Sequence, residues 1–341
     1  MATKLELVKI NNLVIESVLD KVKTFSKLDV DEQILYMKYK GISFNHINEC
    51  DAKNILSNNT YYYKVTAFRK NFIKKNDKYV NLDFGILNDL ATIDMYLRYI
   101  SIKLLLDIEH VLKSELIHTI TRDATENGYS IIEQFDEYSR KLLMERMNNF
   151  DPSRYKEITT IVMNRNKNRD GYHYDIYHKR KNNPPIWVLL ELMSFGELIR
   201  FLEFYYDSNK FNKKKFDFAY DLLKYTKNFR DASAHSRPLI LNLTNFNNLA
   251  PSQKVTQFAS KAKIKKADRK KYLSNKKLHD FVCILIIHDH YIKAPQMKVD
   301  RKTELQHLKQ RCLKRFEYYH NQTELKNIYK VFSKVVDKYN S

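Results

Sequence analysis

The sequence predicts an all-α fold, and two observations lead to that prediction. Only 5 glycines and 6 prolines occur in 341 residues, far fewer than the tight turns of an all-β protein need. Apolar residues recur three and four positions apart over long stretches, which is the spacing that keeps one face of a helix buried. The chain is also long enough for one large or two modest hydrophobic cores.

The helical spacing divides the chain into three regions. The first is predicted to contain short helices between Leu28 and Phe72, with a turn near Gly41. The second begins with the most regular pattern, in which apolar residues from Ile86 to Leu112 indicate one long helix. The predicted regions are an N-terminal helical lobe over residues 1–82, a helical core over residues 83–250 and a basic C-terminal helical region over residues 251–341.

Two more helices are predicted in the core. One extends from Ile186 to about Tyr206, after two prolines of the kind tolerated at a first helical turn. Gly196 inside it is expected to mark a close helix contact or a break, because glycine within a helix costs about 1 kcal/mol relative to alanine. The other helix extends from Phe216 to Ala234, and Pro238 with the asparagine-rich stretch after it ends the core.

The C-terminal region continues the helical pattern. The apolar run from Phe281 to Ile287 is predicted to be a buried helix or strand, and helical spacing returns between Leu305 and Phe332. Within that second stretch, Phe316 and Tyr319 are expected in the core.

The sequence from His288 to His290 contains metal-ligand residue types, but no third ligand is apparent, so a core or surface position is favoured over a metal site.

Three charged residues lie on or near the apolar stripe of the long core helix. Asp94 and Arg98 are one turn apart and are expected to pair. Glu109 falls among apolar neighbours, where a carboxylate usually needs a cationic partner. A structural role is predicted for all three, with the alternative that Glu109 orients Arg230 across the core.

The chain is strongly basic. Sixty basic residues against forty acidic ones give a formal net charge of +20 at pH 7. Such a charge attracts polyanions at long range, so nucleic acid is the expected partner. An AT-rich genome would also enrich lysine, but the same bias should enrich acidic residues, so it explains the lysines more readily than the imbalance.

Two stretches concentrate this charge. Residues 164–183 break the helical pattern and mix basic side chains with tyrosines, which suits single-stranded RNA, with a solvated loop as the alternative. Residues 261–277 are predicted to bind a phosphate backbone or to form a solvated helix face. The predicted RNA-binding residues are Arg165, Lys167, Arg169, Tyr172, Tyr174, Lys179, Arg180, Lys181, Lys261, Lys263, Lys265, Lys266, Arg269, Lys270 and Lys271.

Several classes of protein are disfavoured by what the sequence lacks. Three isolated cysteines give neither a disulfide framework nor a Cys-x-x-Cys pair, which fits a reducing compartment. The first residues carry no apolar signal segment, and the longest uncharged apolar run is too short to span a bilayer, so we expect a cytoplasmic protein. No glycine-rich phosphate loop or nucleophile elbow is present, and no cofactor or metal is expected.

Arg230 and His235 are the strongest candidates for chemistry. RNA cleavage by attack of a ribose 2′-hydroxyl on the neighbouring phosphate needs a proton acceptor, a proton donor and a cation beside the charged phosphorane. Histidine and arginine supply these functions without a metal. The spacing also arises by chance, and the alternative is a helix-end salt bridge for Arg230 and a core position for His235.

The spacing of the two residues constrains the site. Residues five apart on an ideal helix lie about 140° apart around its axis, so Arg230 and His235 line one groove only if the helix ends or distorts near Ala234. In-line phosphoryl transfer needs an acid and a base on opposite sides of the phosphorus, whereas one motif supplies one histidine. A two-fold homodimer is the simplest completion. Arg315 and His320 offer a second pair in the same chain, but a structural role is favoured for them.

Four blocks of sequence occur in order between Asp31 and Arg237. They are Tyr61-Tyr62-Tyr63 after Lys40-Gly41, Asp94-Met-Tyr-Leu-Arg98 followed by Ile108-Glu109, Pro185-Ile-Trp followed by Ser194-Phe-Gly, and Asn228-Phe-Arg-Asp-Ala-Ser-Ala-His-Ser-Arg-Pro238. Together they resemble the Abi-like (AbiD/AbiF-type) abortive-infection family. The chain departs from the family pattern at Asp231, where an asparagine is usual.

The resemblance implies kinship with HEPN ribonucleases, and hence an HEPN-like helical bundle with N-terminal and C-terminal helical extensions. It implies catalytic roles for Arg230, Asp231 and His235, with His235 transferring protons and Arg230 binding the phosphate. The expected products are a 2′,3′-cyclic phosphate and a 5′-hydroxyl. It further implies a toxin that halts a phage-infected cell, and some members of the family work with a small noncoding RNA.

Two other functions stay open. A catalytically inactive RNA-binding protein would use the same basic surface as the scaffold of a defence ribonucleoprotein. A DNA-binding regulator would need a recognition motif, and none is recognisable in the sequence.

Overall fold

The computed structural model describes residues 4–146, 151–246 and 249–341, with side chains from residue 13 onward. About 70% of the chain is helical, which confirms the all-α prediction. The helices of the described residues are α1 (Lys4–Lys23), α2 (Val30–Tyr39), α3 (Glu49–Asn58), α4 (Tyr62–Thr66), α5 (Phe84–Thr121), α6 (Ser130–Arg146), α7 (Ile158–Arg165), α8 (Tyr174–Arg180), α9 (Ile186–Leu192), α10 (Phe195–Asp207), α11 (Asp217–Ala234), α12 (Gln253–Lys261), α13 (Lys266–Tyr272), α14 (Lys276–Tyr291), α15 (Pro295–Leu313) and α16 (Thr323–Lys338).

Short elements connect these helices. Within the described ranges, four 3₁₀ segments occur at Ala67–Asn71, Pro152–Arg154, Lys213–Phe216 and Phe316–Tyr319. The strands are β1 (Ile42–Ser43), β2 (Lys74–Lys75), β3 (Lys78–Tyr79) and β4 (Leu82–Asp83). β1 pairs in parallel with β4, with Ile42 opposite Leu82, and β2 pairs antiparallel with β3. Gly41 precedes β1 with φ +82°, the left-handed conformation that glycine adopts readily, as expected for the predicted turn.

The predicted helix from Ile186 to Tyr206 is two helices. The break falls at Met193 and Ser194, because Ser194 caps α10: its hydroxyl accepts the N–H of Glu197, and the Glu197 carboxylate accepts the N–H of Ser194 at 2.8 Å. Gly196 lies just after the break, where an added Cβ would be 3.0 Å from Cε of Lys227. Gly196 therefore lies close to the Lys227 side chain, which is one of its two predicted roles. The break between α9 and α10 is made by the Ser194 cap.

Three other segments refine the sequence predictions. Residues 164–183 do not form a continuous loop, because they contain α8. The apolar run from Phe281 to Ile287 is helical, since it lies within α14. The prediction for Phe316 is wrong: it is 44% exposed, because a 3₁₀ turn after α15 changes which side chains face the core, whereas Tyr319 is buried.

Two compact units make up the structure. The first contains residues up to Ser101, Ala232–His279 and Asp300–Ser341, and the second contains Ile102–Asp231 and Asp280–Val299. The boundaries fall within α5, α11, α14 and α15. The three regions predicted from the sequence divide the chain at other residues, and that domain division stays a prediction. No helix of the described residues is both long and apolar enough to cross a membrane.

Aromatic side chains fill the core of the second unit. Phe135 of α6 lies 5.1 Å from Phe201 and 5.5 Å from Phe204 of α10, measured between ring centroids. Tyr205 packs edge-on against Phe216 at 5.5 Å, and its hydroxyl donates to the carbonyl of Phe211 at 2.7 Å. Burial of these rings contributes to the stability of this unit.

A buried carboxylate organises the first unit. Asp94 of α5 is 1% exposed, and its Oδ2 accepts a hydrogen bond from Nε of Arg98 at 2.8 Å, which confirms the predicted pair. Its Oδ1 accepts the backbone N–H groups of Leu239 at 2.6 Å and Ile240 at 2.8 Å. Burial raises the pKa of Asp94, and these hydrogen bonds oppose that rise. The segment that follows α11 is thereby tied to α5.

Three further side chains hold this same segment. Asn71 donates to the carbonyl of Ile240 at 2.8 Å and accepts the N–H of Leu243 at 2.7 Å. Asn275 donates to the carbonyls of residues 242, 243 and 245, and the ammonium of Lys277 donates to the carbonyl of Leu241. Residues 239–245 form no helix, so these side chains replace the hydrogen bonds that regular structure would provide.

The end of α11 has the geometry of a Schellman motif. Ser236 adopts the left-handed conformation with φ +53°, and its N–H donates to the carbonyl of Ser233 at 3.4 Å. The N–H of Arg237 donates to the carbonyl of Ala232 at 2.8 Å. This pattern ends a helix and makes His235 the C-cap residue. Pro238, which cannot continue a helix, follows directly.

Replacing Asp94 should destabilise the first unit. We expect Asp94→Ala to lower the free energy of unfolding by about 3 to 5 kcal/mol, because it leaves the buried guanidinium of Arg98 and two backbone N–H groups without their acceptor. Chemical denaturation measures this change. Asp20→Ala removes an exposed ion pair with Lys23 and should change stability by less than about 0.5 kcal/mol. Equal effects of the two substitutions would contradict the role of Asp94.

Lys277 should make stability depend on alkaline pH. Burial lowers the pKa of Lys277 to about 8 from its ordinary 10.5. Between these values the unfolded chain binds more protons at this side chain than the folded chain, so the free energy of unfolding should rise as the pH increases. Denaturation from pH 8 to pH 10 should show the rise in wild type and in Lys276→Met, an adjacent exposed control. The rise should be reduced in Lys277→Met, and an unchanged pH profile would contradict the prediction.

Candidate active site

Arg230 lies near the end of α11 in the second unit, with its side chain largely buried. Its Nη2 is 3.8 Å from Oε2 of Glu109, which is within ion-pair range but too long for a hydrogen bond. Nε of Arg230 and Oε2 of Glu109 are both buried and lack a hydrogen-bond partner within the described residues. The guanidinium is therefore held mainly by charge and keeps unused hydrogen-bonding capacity.

Glu109 is itself fixed by a second cation. Its Oε1 lies 3.1 Å from Nζ of Lys113, one turn further along α5. Lys113 also donates to the backbone carbonyl of Met193 at 3.1 Å, at the break between α9 and α10. Glu109 is thus placed to orient Arg230, which is the alternative role predicted from the sequence for this carboxylate. The same ion pair is the salt bridge expected if Arg230 has only a structural role at the helix end.

Asp231 is in a different environment from its neighbour. Its Oδ2 accepts a hydrogen bond from Nζ of Lys227 at 2.6 Å, one helical turn earlier, and its side chain is one third exposed. An exposed ion pair at this spacing stabilises a helix only slightly. The pair with Lys227 gives Asp231 a structural explanation, and its catalytic role stays a prediction.

His235 is exposed in the first unit. As the C-cap residue it lies just beyond the last helical residue, Ala234, and nothing else in the described part of the chain forms a hydrogen bond with its ring. This exposed position excludes the alternative in which His235 lies in the hydrophobic core. α11 also ends at Ala234, where an end or a distortion is required if Arg230 and His235 are to line one groove.

The second pair with the same spacing is placed differently. Arg315 precedes the 3₁₀ segment, and its guanidinium carbon lies 5.5 Å from the ring centroid of Tyr318. His320 follows that segment, with Nδ1 3.2 Å from the carbonyl oxygen of Glu317. The aromatic contact positions Arg315 and the backbone contact positions His320, and no part in cleavage is assigned to this pair.

The predicted RNA-binding residues between 165 and 181 belong to the second unit. Arg165 is engaged, because both of its terminal nitrogens donate to the carboxylate of Glu197. Tyr174 is partly buried, with its ring near those of Tyr177 and His178. The other predicted residues are exposed: Lys167, Arg169, Tyr172, Lys179, Arg180 and Lys181.

Trp187 was not among the predicted binding residues. It is the single tryptophan of the chain and is 43% exposed. It lines an open pocket of about 310 Å³ with Lys179 and Arg180 of α8 and Val188 of α9. An added Cβ on Gly128, which has φ +82°, would lie 2.7 Å from the indole, so the ring packs closely on that glycine. The sequence signal for this site was the tryptophan after the proline pair, a few residues beyond the basic stretch.

The basic residues between 261 and 271 belong to the first unit. Arg269 donates to the carbonyl of Ile264 at 2.6 Å, and Lys271 pairs with Glu324 at 2.7 Å. Both contacts are structural. The exposed remainder is Lys261, Lys263, Lys265, Lys266 and Lys270.

The His-Asp-His sequence in α14 has structural contacts. His288 is fully buried with Nε2 3.2 Å from Oδ2 of Asp107, and the ring of His290 stacks on Phe218 at 4.0 Å between centroids. Across the described ranges, no group of three or more histidine, cysteine or acidic residues is arranged to hold a metal ion.

Comparison with known proteins relates this architecture to one family. A sequence model of the Abi-like protein family matches residues 54–241, more than half of the chain, including α5, α11 and both motif residues. Searches of curated proteins and of solved structures find no match. The family match supports a role in abortive-infection defence. The chain therefore belongs to the Abi-like protein family.

Proposed function

We propose that this protein is a cytoplasmic, metal-independent endoribonuclease of the HEPN type, with an HEPN-like helical core, that acts in abortive infection. The observation that carries the proposal is the position of His235. It is an exposed C-cap residue directly after the helix that carries Arg230. A proton-transfer residue must reach the substrate, and a solvent-accessible imidazole at a fixed helix end meets that requirement.

The reaction forms a bond between phosphorus and the 2′-oxygen and breaks the bond between phosphorus and the 5′-oxygen. The ribose 2′-oxygen attacks phosphorus and loses its proton to an imidazole, while the 5′-oxygen leaves and takes a proton from an acid. The products are a 2′,3′-cyclic phosphate and a 5′-hydroxyl. Arg230 would stabilise the negative charge that develops on the phosphorane, and Glu109 would keep its guanidinium in place.

One His235 cannot be both acid and base in a single in-line step. We therefore propose a homodimer in which His235 of each protomer occupies one side of the phosphorus. The Schellman motif supports this arrangement, because it fixes the helix end that would have to meet its symmetry mate.

Binding of RNA would depend on the exposed cations. Lys179 and Arg180 line the Trp187 pocket together with Glu191, and neither cation forms an ion pair within the described residues, so both could contact phosphates while a base stacks on the indole. In the first unit, the exposed lysines between 261 and 270 would offer phosphate contacts of their own, to substrate RNA or to a small regulatory noncoding RNA. The alternative is a catalytically inactive RNA-binding scaffold, which the same exposed cations would serve.

His235→Ala should abolish cleavage. Wild type, His235→Ala and His320→Ala are incubated with end-labelled single-stranded RNA in EDTA, and products are separated on a gel. Loss of the proton-transfer group should reduce the rate by about 100-fold or more. His320→Ala is the matched control, because it removes the exposed histidine of the other Arg-x₄-His pair and should leave cleavage unchanged.

Three other results would redirect the proposal. Equal cleavage by all three proteins would place the activity elsewhere or in a contaminant. Loss of cleavage in His320→Ala as well would favour a site built from both pairs. RNA binding without cleavage by any of the proteins would favour the scaffold.

RNA binding should quench the fluorescence of Trp187. In the His235→Ala background, titration with single-stranded RNA reports stacking on the only indole of the chain, without cleavage. Lys179→Ala combined with Arg180→Ala should weaken binding by about 10-fold and reduce its salt dependence. The control combines Lys156→Ala with Lys224→Ala, two exposed lysines of the same unit that lie outside the pocket. RNA binding without quenching would show that the base does not stack at Trp187.

A further inference from the structure

A pocket in the first unit concentrates positive charge. Its volume is about 260 Å³, and it lies where the start of α5 meets the end of α15 and the turn after it. Arg311, Lys314 and Arg315 line it, together with His46 and Asn88. None of Arg230, Asp231 and His235 lines this pocket. It therefore needs an explanation of its own.

The charges in this pocket do not cancel. Its one carboxylate, Asp89, accepts hydrogen bonds from Nη2 of Arg311 at 2.6 Å and from the hydroxyl of Tyr319 at 2.8 Å. Three cations against this one carboxylate leave two positive charges. Lys314 and Arg315 have no acidic partner within the described residues, and Nη1 of Arg311 is buried without a hydrogen-bond acceptor there.

Aromatic packing preforms the pocket wall. The rings of His46 and Tyr318 stack with centroids 4.0 Å apart and an angle of 10° between their planes, and the guanidinium of Arg315 lies over Tyr318. Gly85 allows this close packing, because a Cβ there would be 2.7 Å from Cβ of His46. A side chain held over a ring loses less conformational entropy when it binds a ligand.

Basic residues at the end of a helix have an ordinary explanation, because cations there interact favourably with the helix dipole. That explanation accounts for charge near the end of α15. It does not account for three cations on one concave surface together with a buried guanidinium nitrogen that lacks an acceptor.

We propose that this pocket binds a phosphate monoester group. A phosphate monoester carries about −1.5 to −2 charge at pH 7, which matches the two uncompensated cations. Arginine donates to phosphate oxygens in pairs, lysine acts as a point charge, and the amide of Asn88 adds a neutral donor. Pockets that enclose drug-sized ligands measure about 300 to 1,000 Å³, so this smaller one suits the phosphate, with the remainder of the ligand outside.

Two sources present this group: a free nucleotide and the 5′-phosphate end of an RNA. Either would make the pocket a second phosphate site, separate in its residues from the proposed cleavage site. A ligand that binds only the folded protein stabilises it, so occupancy should be visible as a shift in the melting temperature of the full chain.

Thermal unfolding with defined phosphates tests the proposal. The probes are inorganic phosphate, adenosine monophosphate and adenosine, followed by one oligoribonucleotide with either a 5′-phosphate or a 5′-hydroxyl, all with His235→Ala protein so that cleavage plays no part. We expect adenosine monophosphate to raise the melting temperature and adenosine to leave it unchanged. Lys314→Ala combined with Arg315→Ala should weaken binding at least about tenfold. Arg311 is retained because it holds Asp89.

The matched control combines Lys276→Ala with Lys330→Ala, two exposed lysines of the same unit that remove the same charge outside the pocket. A preference for the 5′-phosphorylated oligonucleotide that disappears in the Lys314/Arg315 variant would identify an RNA end as the source. A shift with the mononucleotide and no such preference would identify a free nucleotide. Equal shifts with adenosine and its monophosphate, equal losses in both double variants, or no shift with any phosphate at millimolar concentration would overturn the proposal.

Discussion

The hydrogen bonds of Asp94 are the constraint on which the first unit depends. A buried carboxylate must be paired, and Asp94 meets this requirement with one neighbour on its own helix and two backbone groups 145 and 146 residues later. The chain after α11 is therefore not a free connection. It is fixed at Leu239 and Ile240, four and five residues beyond the candidate catalytic histidine, and Asn71, Asn275 and Lys277 hold the residues from 240 to 245.

This anchoring gives the end of α11 its definite geometry. Local backbone hydrogen bonds end the helix at Ala234, and the left-handed Ser236 redirects the chain toward its anchor at Leu239. His235 is consequently exposed at a fixed point without being held by side-chain contacts of its own. Arg230 has the opposite surroundings, since it is largely buried beside Glu109. An accessible proton-transfer group and a positioned cation are the two features that the proposed chemistry requires.

The basic side chains of this protein fall into two groups, those engaged by other protein groups and those that form no ion pair within the described residues. Arg165, Arg269 and Lys271 are engaged by protein groups, so their part in the net charge does not translate into binding capacity. Other cations form no ion pair within the described residues, notably Lys179 and Arg180 beside Trp187 in the second unit and Lys314 and Arg315 in the first. Net charge indicated a polyanionic partner, but only the pairing of individual side chains separates free cations from structural ones.

The sequence by itself determined the helical class, the long helix α5, the Asp94–Arg98 pair and the family, because these depend on periodicity, on one-turn spacing and on local motifs. It did not separate α9 from α10, since a serine cap overrides a continuous apolar pattern, and it misplaced Phe316, whose 3₁₀ turn changes the helical phase. The contact of Arg230 with Glu109, the exposure of His235 and the phosphate-sized pocket were decided by tertiary structure. Each depends on residues far apart in the chain or on a chain direction fixed by distant hydrogen bonds, which local patterns do not encode.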